Sequence, residues 1–185
     1  MRNYKCLSNT KFETNGFHIE PIRDEDKYEI MSIRNEQIYH LRQAKPLTVE
    51  VQENYFATVV SDLFNQEKPN QLLFSFFLNE TFIGYGGLVH MNWIDKNAEI
   101  SFVMKTELEE DHFIEYWSNY LKLIEQVAFK EIGFHKIYTY AFDLRPHLYE
   151  AMVLSGYYEE ARLKEHCYFN SKFIDVVIHS KIASA

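Results

Sequence analysis

The sequence is short of several things at once. Of its 185 residues only two are cysteine, Cys6 and Cys167, far apart in the chain. Two distant thiols make neither a disulfide framework nor a zinc pattern. No apolar run reaches the ~20 residues of a membrane-spanning helix. The opening MRNYKCLSNTKFETNG lacks the apolar stretch of a secretory signal. Positive charge is also scarce: 19 Lys and Arg against 27 Asp and Glu give a formal net charge of −8. Nucleic-acid partners need a basic face, so none is expected. The eight histidines are scattered, with no HxxxH or HExxH pair, and no metal is expected. These absences together predict a cytoplasmic protein with no membrane partner. Glycine is the last scarcity: the chain has six, and none between Gly87 and Gly133.

What the chain has is apolar and aromatic mass. Apolar residues make up 46% and aromatic ones 16%, with 15 Phe and 13 Tyr. That is enough for one core in one domain, taken as residues 16–185 behind a flexible leader, 1–15. The organising stretch is 98–142. A strand ending in ISFVM is followed by the charged loop KTELEEDH, a helix from Phe113, and the strand FHKIYTYAF. On the helix, Phe113, Trp117, Leu121, Ile124 and Ala128 recur at three or four residues and share a face. Gly133 follows the last turn, where a left-handed residue is usual. The next strand is apolar on both sides, as a doubly covered strand is, so the unit reads as a right-handed βαβ crossover.

Upstream, 16–22 reads as a strand. A helix follows Asp24, and a second helix, capped by Thr48, runs to about residue 65 with Val51, Tyr55, Val59 and Leu63 buried. Then come Leu72–Leu78, a turn at Asn79-Glu80, and a glycine-rich antiparallel strand to His90. Downstream, Pro146 opens a short helix, and 157–182 form a final hairpin around Asn170-Ser171. The fold class is α/β (α+β), a mixed, twisted sheet of six or seven strands flanked by helices.

This order of elements, from about residue 16 to 182, resembles the GCN5-related N-acetyltransferase (GNAT) superfamily. Three segments carry the resemblance. EQVAFKEIGFHKIYTYAF is similar to its helix-to-strand crossover. LSGYYEEARLKEHCYFNSKFIDVVIHS is similar to the ending of its ribosomal-protein and amino-sugar branches. RNEQIYHLRQAKPLT is similar to the acceptor-side helix and loop of the amino-sugar-nucleotide branch. The resemblance implies a central pair of splayed parallel strands, with acetyl-CoA as co-substrate in the gap and transfer of its acetyl group to a primary amine. The implied acceptor is a small molecule such as a nucleotide-linked amino sugar.

The implied cofactor contacts are backbone groups of Phe102, Val103 and Met104 for pantetheine, and helix-start N–H groups of His112, Phe113, Ile114 and Glu115 for the diphosphate. Arg145 stands where the family usually has Asn, and Tyr149 points to the same region. The family's Q/R-x-x-G-x-G/A pattern is absent: its glycines fall at Phe113 and Glu115, among Glu107, Glu109, Glu110 and Asp111. From the residues themselves, Glu99 is a mid-strand carboxylate and the candidate base, with His90 as a proton relay. Arg34, Asn35, Arg42 and Gln43 crowd the acceptor loop, and arginine reads anions by paired bonds. Two other functions stay open at this level. One is a GNAT-fold binding or assembly module without catalysis, suggested by the acidic loop. The other is acetylation of a protein N-terminus, suggested by the hairpin.

Overall fold

The computed structural model describes residues 2–184. Eight strands form one sheet: β1 Phe12–Thr14, β2 Phe17–Pro21, β3 Leu72–Leu78, β4 Thr81–Asn92, β5 Asn97–Met104, β6 Lys136–Phe142, β7 Tyr158–Phe169 and β8 Lys172–Ile182. Their spatial order is β1-β2-β3-β4-β5-β6-β8-β7. Four helices flank it: α1 Lys27–Glu36, α2 over residues 49–63, α3 Glu109–Glu125 with a wider-wound continuation Gln126–Glu131, and α4 Pro146–Leu154.

The eighth strand comes from the expected leader, which is built into the domain. Tyr4 is fully buried. Its hydroxyl donates to the Leu73 carbonyl at 2.7 Å and accepts from the Leu73 N–H at 3.0 Å, and its ring stacks on Phe64 at 4.3 Å. A three-residue strand and a single anchoring tyrosine are too short to show a period.

Helix α2 starts at the Thr48 cap, whose hydroxyl accepts from the Val51 N–H. The buried stripe is shifted by one residue from the expected one. Gln52, Phe56 and Val60 face inward in place of Val51, Tyr55 and Val59, of which Val51 and Val59 are exposed, while Leu63 is buried as expected. A buried glutamine, bonded to the Lys27 carbonyl at 2.7 Å, disguises that stripe in the sequence.

Helix α3 begins one turn earlier than expected. A short 3₁₀ turn, Thr106–Leu108, leads straight into Glu109, so the acids read as a loop form the first helical turn. Carboxylates there complement the helix dipole. The buried face of α3 packs on β5, with Phe102 stacked on Tyr120 at 3.9 Å and edge-on to Trp117 at 4.8 Å. Gly133 and Gly156 have φ of +66° and +80°, the left-handed stop that glycine takes without steric cost.

The parallel pair β5–β6 is joined only at Asn97–Lys136, Ala98–Ile137 and Glu99–Tyr138. Beyond Glu99 the strands part. Strand β6 stays paired with β8 along its whole length, and β5 with β4 as far as Met104. The sheet is therefore continuous except for a fork whose vertex is Glu99.

Candidate active site

The fork opens into a cavity lined by Ile100 to Phe102 on one side and Thr139 to Phe142 on the other, with Trp117 and Leu148 behind. Two buried polar atoms on this lining have no partner, Thr139 Oγ1 and Arg145 Nε. Buried polar groups are rarely left unpaired, so the slot has hydrogen-bonding capacity to offer. Of the three residues expected along pantetheine, only Phe102 lines the cavity. Val103 faces Tyr85 on β4. The Met104 carbonyl is taken by the buried Gln37 side chain at 2.6 Å.

Glu99 lies at the vertex, with its side chain only 8% exposed. Burial raises its carboxyl above the ordinary range, and Arg42 and then His90 oppose that rise. Arg42 is bonded directly to Glu99 Oε1, and its guanidinium lies over the Tyr140 ring at 4.7 Å. His90 Nε2 stands 3.8 Å from Glu99 Oε2. His90 occupies the extra position of a bulge in β4, where pairing jumps from Val89–Glu99 to Asn92–Asn97. Its φ is +50°, unusual for a residue with a side chain. Bulges beside active sites commonly re-aim a side chain, and here the bulge brings the imidazole beside the carboxylate.

At the open end of the fork, Arg145 is 5% exposed. It donates to Glu109 at 2.7 Å, its Nη1 stands 3.0–3.1 Å from the two ring nitrogens of His40, and it lies over Phe113 at 4.9 Å. His147 packs edge-on to Phe113 at 4.2 Å. Burial, then the neighbouring Arg145 charge, pushes His40 down to about 3, so it is neutral. Its Nε2–H reaches Gln37 at 2.9 Å, which leaves Nδ1 to accept from Arg145.

Because α3 starts at Glu109, the N–H groups of His112 to Glu115 donate to the preceding turn. Those of Glu110 and Asp111, in the first turn, have no i−4 partner within the α-helix. The expectation of helix-start donors at His112, Phe113, Ile114 and Glu115 is therefore corrected by one turn. The Phe113 ring is buried, and His112 stacks on Tyr116 at 4.9 Å. Tyr149 faces away from the slot: its hydroxyl donates to Asp143 at 2.6 Å and its ring stacks on His179.

The four expected acceptor residues separate. Arg42 belongs to Glu99. Asn35 and Gln43 hold the loop: Asn35 Oδ1 accepts from the Leu47 N–H at 2.7 Å and from Gln43 at 3.1 Å. Arg34 lines a second cavity of about 280 Å³, near the lower end for ligand pockets. This cavity lies between α1, α2 and the sheet, and Ser101 lines both it and the fork. Its phenols, Tyr55 and Tyr85, and the contacts of Gln37 and His40 were missed by sequence reasoning, because nothing local distinguishes them from core aromatics or loop polars. Among the described residues no group of three or more His, Cys, Asp or Glu converges to hold a metal, and no helix is long and apolar enough to cross a membrane.

The family model described as "Acetyltransferase (GNAT) domain" matches residues 19–178. No curated protein gives a significant match. Among solved structures, the spermidine N-acetyltransferase from Vibrio cholerae in complex with CoA and spermine superposes with a TM-score of 0.79 at 17% identity, covering 91% of this chain and 96% of that one. A dodecameric structure of the Vibrio cholerae enzyme gives 0.74 at 18%, covering 91% and 95%. A probable acetyltransferase gives 0.76 at 16%, covering 93% and 96%.

Proposed function

From the premise that this chain belongs to the GNAT acetyltransferase family, we propose that it acetylates a small primary amine at the β5–β6 fork, using acetyl-CoA as co-substrate and Glu99 as base. The observation that carries this reading is the vertex itself. A buried carboxylate sits where two parallel strands part, facing a slot with unpaired polar atoms.

Acetyl-CoA supplies an acetyl group activated on sulfur; the C–N bond forms as the C–S bond breaks. The ammonium gives up two protons. One passes through Glu99, with His90 as the exit toward solvent, and the other ends on the departing thiolate. A carboxyl whose pKa is raised by burial is a stronger base than a solvated one. Arg42 keeps it ionised and fixes its orientation. The free edge of β5 beyond Glu99 offers backbone N–H groups where the thioester oxygen gains charge.

The residues fit the pantetheine arm through the parted strands, Thr139 and Arg145. For the diphosphate they offer the Glu110 and Asp111 N–H groups, with Glu109 already neutralised by Arg145. Of the four residues expected to hold a nucleotide-linked amino sugar only Arg34 is available: Asn35 and Gln43 are spent on the loop, and Arg42 on Glu99. The spermidine of the structural relatives is not carried over either, because no carboxylate lines the second cavity and a polycation needs one.

Calorimetric titration with acetyl-CoA, followed by thiol-release assays on a panel of primary amines, tests the proposal. Saturable binding and acceptor-dependent release are expected. Absence of acetyl-CoA binding would overturn it in favour of a non-catalytic module, whose supporting observation is the acidic first turn of α3.

A further inference from the structure

The second cavity says more about the acceptor, resting on the acetyl-transfer reading above. Most of its wall is apolar: Ile22, Ile30, Val51, Phe56, Leu73 and Val89. Arg34 is the one charged residue of its lining. The guanidinium is fixed by two neutral partners. Nη1 donates to the Tyr85 hydroxyl at 2.6 Å, and Nε donates to Gln43 Oε1 at 3.0 Å. Gln43 is in turn held by Asn35. Arg2, Arg23, Arg42, Arg145 and Arg162 each have an acidic partner. Among the described residues Arg34 has none.

A guanidinium in an apolar cavity without a counter-charge is costly to desolvate, yet three neighbours are spent on holding this one in place. Its Nη2 edge has no partner among the described residues, and a preorganised arginine edge binds carboxylate by charge-assisted bonds. The reacting end of the cavity is Ser101, shared with the fork. Tyr85 faces Val103 on β5, and Ser101 lies two residues back on the same face. Two residues of strand span about 7 Å.

We infer that the acceptor is a primary amine on an apolar body, with a carboxylate at its far end that binds Arg34 while the amine lies at Ser101 below the fork. An ordinary α-amino acid reacting through its α-amine does not fit, because its two charged groups share one carbon. An ω-amino acid or an aminoalkyl-arene carboxylate does.

The test compares thiol-release kinetics for 4-(aminomethyl)benzoate, benzylamine and spermidine, with acetyl-CoA binding measured on the same protein. The kcat/KM for 4-(aminomethyl)benzoate should exceed that for benzylamine by about tenfold or more, mainly through KM, as a charge-assisted bond allows. Arg34→Gln should abolish the preference while leaving benzylamine turnover measurable, and Arg34→Lys should restore part of it. The comparison in the unmodified protein needs no variant, so a folding defect in either substitution does not remove the test. Equal or faster turnover of benzylamine or spermidine overturns this inference and leaves acetyl transfer standing. So does a preference that survives Arg34→Gln, or acetyl-CoA binding with no turnover of any of the three. Failure to bind acetyl-CoA overturns both.

Discussion

Replacing Glu99 with Gln removes the proposed base and keeps the shape. Arg42 is 47% exposed at its side chain, so losing its ionic partner costs at most ~1 kcal/mol after solvent screening, and the amide oxygen still accepts a hydrogen bond. The chemical cost is larger. An alkylamine with a lysine-like pKa of about 10.4 is neutral in roughly one molecule in 2,500 at pH 7, and removing a positioned general base costs typically ~10²–10⁴ in rate. At pH 7, kcat/KM for an alkylamine should fall by about that range. From pH 7 to 9 it should climb roughly a hundredfold, as the amine loses its own proton, while the unmodified enzyme changes far less. Stability should move the other way. The folded Glu99 pKa is raised, so its stabilising contribution is present below its unfolded pKa and is lost as pH rises through the folded value. Gln does not titrate, so the Tm of the variant relative to the parent should increase as pH rises above the unfolded carboxyl value of about 4.3. Thiol-release rates and thermal unfolding, each across pH, measure both effects. Full activity at pH 7, or a variant with the parent's flat profile above it, would refute Glu99 as the base.

Arg42→Gln removes the main opposition to the burial effect on Glu99, so the acid limb of the kcat/KM profile should move to higher pH; an unmoved limb counts against the pairing. Gly86→Ala would put a Cβ 2.2 Å from the Ser101 carbonyl and 2.5 Å from the Tyr120 hydroxyl. Overpacking of this kind costs ~1–3 kcal/mol, or about 2–12 °C in Tm for a chain of this size, and it should raise KM for acetyl-CoA because Ser101 borders the slot. The two acids of the first α3 turn should behave differently in a coenzyme A titration. Glu110→Gln removes an unpaired repulsion and should tighten binding by up to a few-fold, less in salt. Glu109→Gln leaves the buried Arg145 without its ionic partner and should cost about 3 kcal/mol of stability, seen by denaturant unfolding. Equal effects of the two would refute the bridge.

Much of the frame was legible locally. The stop glycines at 133 and 156, the Thr48 cap, Pro146 at a first helical turn and the apolar run of β6 depend only on near neighbours, and each stands where the pattern put it. Glu99 was conspicuous because a carboxylate amid apolar strand residues needs a partner. The partners were not legible. Arg42 meets Glu99 across 57 residues and Arg145 meets Glu109 across 36, and no local period encodes such a pairing. The α3 start was misread because three acids in a row resemble a solvated loop, until packing of Phe113 and Trp117 extends the helix through them. The α2 stripe was misread because two adjacent stripes are both plausible and only α1 and the sheet select one. The isolation of Arg34 is the extreme case. An arginine in RNEQ looks like any surface arginine, and its lack of a counter-charge is a property of everything folded around it. Composition and periodicity determined most of the strands and helices, and the family resemblance implied the fork. Long-range packing alone decided which charges are paired and that Arg34 has no acidic partner among the described residues.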